Sequence, residues 1–405
     1  MLSTPVSDVT RRGRRRALAA AGLVAALALT ATACGGSAEG KGGADAGAGG
    51  DASKPAGAGG DGGAEVPAGL ADRLEEHGID VDAWADGGWK DWDKDKWLRE
   101  AGDFVNPVIE GLWNPDRMKS AEEADKTVTT KDATAGQGVS DPEPAPVEAE
   151  AEKKPYHEHA APVGKLFFDS PEGSMVCSGT VVKDVNHPGE SNLVWTAGHC
   201  VHAGGGGGWY RNIAFVPSYN DLGRSEAELS GATTTELAPY GTWWADWAST
   251  SNQWIQGGSG TGGDGAAYDY AVLRVRPEQG GKSLEETVGA ALDVDFSAPS
   301  ASDAGSMGAW GYPAAAPYNG LEMFKCLDRP GRLSLSPSLP TMYRIGCTMT
   351  GGSSGGGWFR VVDGETRLVS NTSIGPLDNT WLAGPRLGPE AEAMYRTMSK
   401  AHGGG

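Results

Sequence analysis

Residues 196–200 read Thr-Ala-Gly-His-Cys, and they follow the short apolar run Asn-Leu-Val-Trp at residues 192–195. An imidazole that comes directly after a buried strand, next to a cysteine that can anchor it, is held in one position. A general base needs a fixed geometry and a pKa near neutrality, and histidine provides both. The stretch therefore predicts that His199 acts as a base.

Two later stretches supply the partners that such a base needs. Residues 268–273, YDYAVL, place Asp269 at the mouth of a strand, and residues 351–357, GGSSGGG, place Ser354 in a turn that requires glycine. Taken alone, each of the three motifs has a simpler explanation. His199 could be a structural histidine, Asp269 could cap a strand, and GGSSGGG could be a flexible glycine loop. Histidine, aspartate and serine in this chain order match one known arrangement of serine hydrolases.

Length and charge limit the functions that this chain can have. Its 405 residues are enough for two or three domains, and its net charge is −19. The only basic cluster lies within the first 16 residues, so we expect no nucleic-acid partner. The acidity is interpreted as a solubility feature.

The N-terminus is typical of an exported protein. A basic head at residues 11–16 precedes a short apolar run at 17–33, which predicts a signal peptide over residues 1–34 rather than a membrane span. The ending Ala-Thr-Ala-Cys resembles a bacterial lipobox, so Cys34 is predicted to carry lipid and to anchor the protein to the outer face of the cell membrane. The alternative is ordinary cleavage before Cys34, which would release an extracellular protein; the arginines also permit twin-arginine export.

The cysteines favour an oxidising compartment. There are five, and lipidation of Cys34 leaves an even number. Pairing Cys177 with Cys200 and Cys326 with Cys347 would close two short local loops. The chain has no C-x-x-C pair, so we expect no metal and no cofactor.

Composition divides the chain before its catalytic half. Residues 35–69 are rich in glycine and alanine and predict a flexible tether. Residues 70–125 are rich in tryptophan, and 70–84 and 95–113 have helical spacing, which predicts a small helical pro-segment; a ligand-binding or cell-wall-binding module is the alternative. Residues 126–158 are predicted to be a second linker.

The catalytic half has the pattern of a β protein. Short strands separated by glycine and proline turns predict an all-β, antiparallel barrel architecture. The expected strands include residues 164–168, 177–182, 192–196 and 270–275, and a single convincing helix is predicted over 388–401.

The motifs CSGT, TAGHC, YDYAVL and GGSSGGG resemble the chymotrypsin superfamily of serine peptidases, in particular its secreted bacterial members. The resemblance covers about residues 160–400, and LWNPDRM at 112–118 resembles the segment that precedes the domain in actinobacterial members. It implies two antiparallel β-barrels with a C-terminal helix, a peptidase domain over residues 159–402, protein or peptide substrates, and a monomer.

The resemblance also implies roles for individual residues. Ser354 matches the nucleophile, His199 its base, and Asp269 the residue that orients the imidazole. The backbone amides of Gly352 and Ser354 match the oxyanion hole. Thr348 occupies the position that often floors the specificity pocket.

Departures from the family pattern limit what is carried over. Ser353 stands where digestive members have the aspartate that pairs with a new N-terminus, so that activation switch cannot operate. Thr348 offers no carboxylate to a basic substrate side chain, and residues 368–375 contain no histidine, so small or apolar side chains are expected. The sequence predicts an exported serine endopeptidase that forms an acyl-enzyme and is restrained or assisted by residues 70–155. A catalytically silent binding lipoprotein, or an esterase with the same triad, is the alternative.

Overall fold

The computed structural model describes residues 104, 106, 108–124, 126–133, 139–260 and 263–403. The predicted signal peptide with Cys34, the tether and most of the tryptophan-rich segment lie outside these residues. Within the described part, no helix is both long and apolar enough to cross a membrane.

The described residues form short strands and helices, which are numbered here in chain order. The strands are β1 (Glu122–Glu123), β2 (Thr127–Val128), β3 (Glu150–Ala151), β4 (Val163–Ser170), β5 (Gly173–Val182), β6 (Leu193–Thr196), β7 (Arg211–Pro217), β8 (Trp243–Thr250), β9 (Ala271–Pro277), β10 (Asp293–Val294), β11 (Met307–Gly311), β12 (Phe324–Asp328), β13 (Gly331–Leu333), β14 (Met342–Gly346), β15 (Gly357–Val362), β16 (Glu365–Asn371), β17 (Gly375–Pro376) and β18 (Trp381–Gly384). The helices are α1 (Pro115–Ser120), α2 (Thr130–Ala133), α3 (Tyr156–His159), α4 (Thr234–Leu237), α5 (Asn252–Gly257), α6 (Leu284–Val288) and α7 (Pro389–His402).

Six strands of the first half close into a barrel. Their order is β5-β4-β7-β8-β9-β6, and β6 pairs back with β5, so the ring has no free edge. Every pairing within this ring is antiparallel. Alternate residues of β4 join two different apolar clusters, with Leu166 and Phe168 in one and Phe167 in the other. Both faces of the strand are therefore buried, which confirms the predicted antiparallel barrel for this half.

The second half forms two further sheets. One has the order β10-β16-β15-β11-β12-β3, and the other has the order β13-β14-β18. Their apolar side chains share one cluster, which includes Ala309, Ile345 and Trp358. The disulfide between Cys326 and Cys347 joins β12 to the residue after β14. The described ladders of this half do not close a ring, so the barrel shown by the structure is the first one.

The C-terminal helix is α7, as predicted from its apolar spacing. Pro389 begins it, in the first turn, where the missing amide donor of proline costs nothing. Ala391, Tyr395 and Met398 are buried in an apolar cluster that they share with residues of the first barrel, and Met394 is partly buried beside them.

The segment before the peptidase sheets packs against them. The helix predicted over residues 95–113 is absent from 108–113, where Gly111 adopts a φ of +69° in a turn; the described helix is α1, which begins after the capping side chain of Asn114. The indole of Trp113 donates to the carbonyl of Asn212 at 2.8 Å and packs against Phe167.

The predicted linker also makes sheet contacts. Its residues form β2, which pairs with β17, and β3, which pairs with β12 at the edge of the larger sheet. Tyr156 is fully buried, and its hydroxyl accepts from the amide of Met323 at 3.0 Å. The composition of residues 126–158 is that of a linker, but a few apolar residues and free sheet edges are enough to order much of it. The domain boundaries themselves stay a prediction.

Candidate active site

His199 lies on the short 3-10 turn Gly198–Cys200, directly after β6. The disulfide between Cys177 and Cys200, one of the two that were predicted, ties this turn to β5. Gly198 is required because a Cβ there would lie 2.7 Å from the hydroxyl of Thr250 and 2.9 Å from the Trp254 ring. His199 is 6% exposed, so the imidazole is held by the packing around it.

Asp269 orients this imidazole. Its Oδ2 lies 2.7 Å from His199 Nδ1, and its Oδ1 accepts the backbone amide of His199 at 2.8 Å. The hydroxyl of Ser373 donates to Oδ2 at 2.5 Å, and the side-chain amide of Asn371 donates to the Asp269 carbonyl at 2.9 Å. Asp269 thus belongs to the first half but is held by residues of the second.

Charge keeps the Asp269 carboxyl ionised although no part of it is exposed. Burial alone would raise its pKa. The charges of His199 and Lys126 and the hydrogen bonds from His199 and Ser373 outweigh burial and lower the pKa of Asp269 to about 2. A permanently charged carboxylate at this place favours the imidazolium that forms when His199 takes a proton.

Ser354 lies in a turn built from the main chain. The Ser354 carbonyl accepts the amide of Ser178 at 2.7 Å, and the Gly355 amide donates to the carbonyl of Thr372 at 2.8 Å. Gly355 has a φ of +76°, and a Cβ there would lie 2.1 Å from the hydroxyl of Thr196. The turn therefore lies against the end of β6, three residues before His199.

The third contact of a working triad is not made in this structure. Nε2 of His199 is buried and has no hydrogen-bond partner among the described residues, so it does not bond to the Ser354 hydroxyl. Such catalytic hydrogen bonds are often long before substrate binds. The structure thus brings His199 and Asp269 together directly, and Ser354 comes near them through its turn.

The predicted oxyanion donors have suitable main-chain geometry. Gly352 has a φ of +91°, and a Cβ there would lie 2.7 Å from the Tyr312 carbonyl. The carbonyl of Gly351, which shares a peptide plane with the Gly352 amide, accepts the amide of Ala314 at 2.6 Å, and this hydrogen bond fixes the orientation of that plane. Within the described residues, the amides of Gly352 and Ser354 donate to no acceptor. They are available to a negatively charged oxygen.

The described residues that line the small cavity beside Ser354 do not include Thr348. Its hydroxyl accepts the amide of Ala149 at 2.9 Å and lies 3.3 Å from the hydroxyl of Tyr318. The apolar side chains that line this cavity are those of Met349, Ile374, Pro376 and Leu382.

Several site residues were missed by the sequence analysis. Ser373 and Asn371 stand in the stretch LVSNTSIG, where only the absence of a histidine was noted. Lys126 carries no signal of its own, because it is one of several charged residues in a segment of linker composition. Its place in the site depends on a contact across more than a hundred residues, which local patterns do not encode.

The sulfurs of Cys177 and Cys200 and the ring of His199 are close enough together to suggest a metal site. The two sulfurs are bonded to each other and offer no thiolate. The group therefore lacks the ligands that a metal would need.

Two of the solved structures that match the chain share about 30% of its residues over the matched part. The thermostable serine protease AL20 from an extremophilic microorganism is 32% identical, and the match covers 60% of this chain and 99% of that one, with a TM-score of 0.48. The protease Anisep from Arthrobacter nicotinovorans is 30% identical, with 62% and 99% covered and a TM-score of 0.48. The chain belongs to the chymotrypsin-fold serine proteases. This assignment rests on sequence identity over nearly the full length of both relatives.

No family model and no curated protein sequence matches the chain. Membership of the protease family implies peptide substrates. The two disulfides suggest a compartment outside the cytoplasm.

Proposed function

We propose that the chain is an exported serine endopeptidase that uses Ser354, His199 and Asp269. The observation that carries the proposal is the buried network around His199. Nδ1 is held by an ionised Asp269, while Nε2 is left without a partner among the described residues. An imidazole oriented in this way can take a proton only at Nε2, which is the atom that a neighbouring nucleophile needs.

The reaction follows from these positions. The Ser354 hydroxyl attacks the substrate carbonyl carbon and passes its proton to His199 Nε2, and the carbonyl oxygen becomes an oxyanion that the amides of Gly352 and Ser354 bind. The peptide C–N bond then breaks, and His199 returns the proton to the departing amine. Water attacks the resulting acyl-enzyme with the same base, which releases the acid and restores Ser354. Asp269 stays ionised throughout.

The proposed substrates carry a small or apolar side chain at the cleaved bond. Met349, Ile374 and Leu382 line the cavity beside Ser354, and no carboxylate is among the described residues that line it. A basic side chain would have no counter-charge there. We also propose that the two sheets of the second half correspond to the family's second barrel. Export and lipidation at Cys34 remain predictions from the N-terminal sequence.

The test of the nucleophile uses two neighbouring serines. Ser354→Ala is expected to lower kcat on casein by roughly 10⁶-fold and to abolish labelling by a fluorophosphonate, because the attacking oxygen is gone. Ser353→Ala is the matched control. The hydroxyl of Ser353 donates only to the Thr350 carbonyl, so its loss should cost about 1 kcal/mol of stability and leave labelling intact. Unchanged hydrolysis by Ser354→Ala would show that the nucleophile is wrongly assigned.

A further inference from the structure

Residues 126–128 precede the peptidase sheets in sequence but lie beside the proposed triad. The side chain of Lys126 is 1% exposed, and its Nζ is 3.7 Å from Asp269 Oδ2. The same ammonium lies 4.2 Å above the Trp254 ring and donates to the Asp264 carbonyl at 3.3 Å. The Trp254 ring packs edge-on against the His199 imidazole. Lys126 therefore fills space that borders two of the three proposed catalytic residues.

The backbone of this segment occupies a strand edge. Thr127 pairs in parallel with Gly375, and Val128 pairs with Pro376. This edge begins two residues after Ser373, whose hydroxyl is bonded to Asp269. Pairing with an exposed strand edge is a general way in which proteins bind extended peptides. In this protein, β2 of the same chain already pairs with the edge of β17, the strand that follows Ser373.

Val128 anchors the strand to an apolar surface. It is 1% exposed and shares a cluster with residues of the second half, which include Ile374 and Trp381. Ile374 also lines the cavity beside Ser354. The same surface thus serves both the docked strand and the proposed substrate site.

Little room is left for a substrate. Lys126 and Thr127 line the same cavity as Met349, Ser353 and Ser354, and its volume is about 10 Å³. That is about the room needed for one water molecule. A substrate side chain cannot enter until the segment leaves.

We propose that residues 126–128 are an internal competitive inhibitor, which blocks the substrate-binding edge of the peptidase until it is displaced. This rests on the proposed function. Docking is opposed by the desolvation of the Lys126 ammonium, and the strand contributes a ladder of only two residue pairs. A competing peptide, or a cut in the segment, can therefore open the site.

Two variants test the block from different sides. Val128→Asp places a charge in the apolar cluster, and Thr127→Pro removes a backbone amide from the two-pair ladder with β17, so both should expel the segment. Because an internal competitor raises KM without changing kcat, each variant should lower KM for an extended peptide substrate about tenfold at constant kcat. Val361→Asp, at a position that is 68% exposed, is the matched control and should leave both constants unchanged.

Adding the segment back provides an independent measurement. A synthetic peptide of residues 125–132, DKTVTTKD, should inhibit the Val128→Asp protein competitively, and the same peptide with aspartate in place of valine should not. An unchanged KM in both variants, or no inhibition by the peptide, overturns the proposal. A fall in kcat with unchanged thermal unfolding also overturns the proposal, because the docked segment would then be needed for catalysis.

Fluorophosphonate labelling separates this proposal from the proposed function. The reagent is small and reacts with an activated serine without using the strand edge. If Ser354 is labelled in every variant and KM is unaffected, only the inhibitor proposal fails and the proposed function stands. If neither the wild type nor the variants with the segment expelled are labelled, the proposed function fails, and the inhibitor fails with it.

Discussion

The two halves of the peptidase hold their parts of the site by different means. In the first half, His199 and Asp269 are fixed by side-chain hydrogen bonds and by charge. In the second half, Ser354 is placed by the main chain, in a turn where Gly352 and Gly355 have positive φ and closely approach their neighbours. A change of charge should therefore disturb the first arrangement, whereas a single added carbon should disturb the second.

The largest expected effect on stability comes from Gly355→Ala. Its Cβ would lie 2.1 Å from the Thr196 hydroxyl and 2.6 Å from the Ser178 carbonyl, at a φ of +76°. The clash and the strained φ together should lower the free energy of unfolding by about 4 kcal/mol, and displacement of the turn should lower kcat/KM at least roughly a hundredfold. Urea unfolding and peptide hydrolysis measure the two effects.

Gly364→Ala separates the close approach from the backbone strain. Gly364 has a similar φ of +84°, but a Cβ there would meet nothing within 4 Å. Its replacement should therefore cost about 1 kcal/mol and leave hydrolysis unchanged. Equal losses in the two variants would mean that the φ value, and not the contact with β6, explains the glycine at position 355.

The two disulfides give the next comparison. The paired cysteines are 23 and 21 residues apart along the chain. Loop entropy therefore predicts a similar loss of unfolding free energy, about 3 kcal/mol, when either pair is replaced by serines. The losses in activity should differ, because Cys200 belongs to the turn that carries His199, whereas Cys347 lies seven residues before Ser354. Unfolding in urea and kcat/KM of the two double variants provide the test. Equal losses of activity would show that both halves depend on their disulfides to the same extent.

The same contrast explains what the sequence could predict. His199, Asp269 and Ser354 stand in short motifs with strong local constraints, since each needs a strand end or a glycine turn. The strands of the first barrel alternate apolar residues or bury both faces, and both patterns are visible in the residues themselves. The disulfides could be paired because each closes a short loop.

The missed features depend on contacts between distant residues. The role of Thr348 in the specificity pocket stays a prediction, but its hydroxyl accepts the amide of Ala149, so its surroundings depend on the predicted linker. Lys126 and Val128 reach the site through strand edges whose location follows from the whole fold. The composition of such a segment does not reveal that it docks on the fold, because a few buried side chains are enough to hold it there.

The last comparison concerns the pH dependence of the charges around Asp269. Its pKa is about 2 in the folded protein and close to 3.8 when the chain is unfolded, so the unfolded state binds a proton first as the pH falls. The carboxylate therefore contributes about 2 kcal/mol of stability above pH 4, which is lost between about pH 4 and pH 2. Asp269→Asn cannot titrate and should lack this contribution. The difference in unfolding free energy between wild type and Asp269→Asn, measured in urea, should shrink by that amount across the same interval. A constant difference would mean that His199, Lys126 and Ser373 do not stabilise the ionised carboxyl, and the first half would then depend on packing, as the second does.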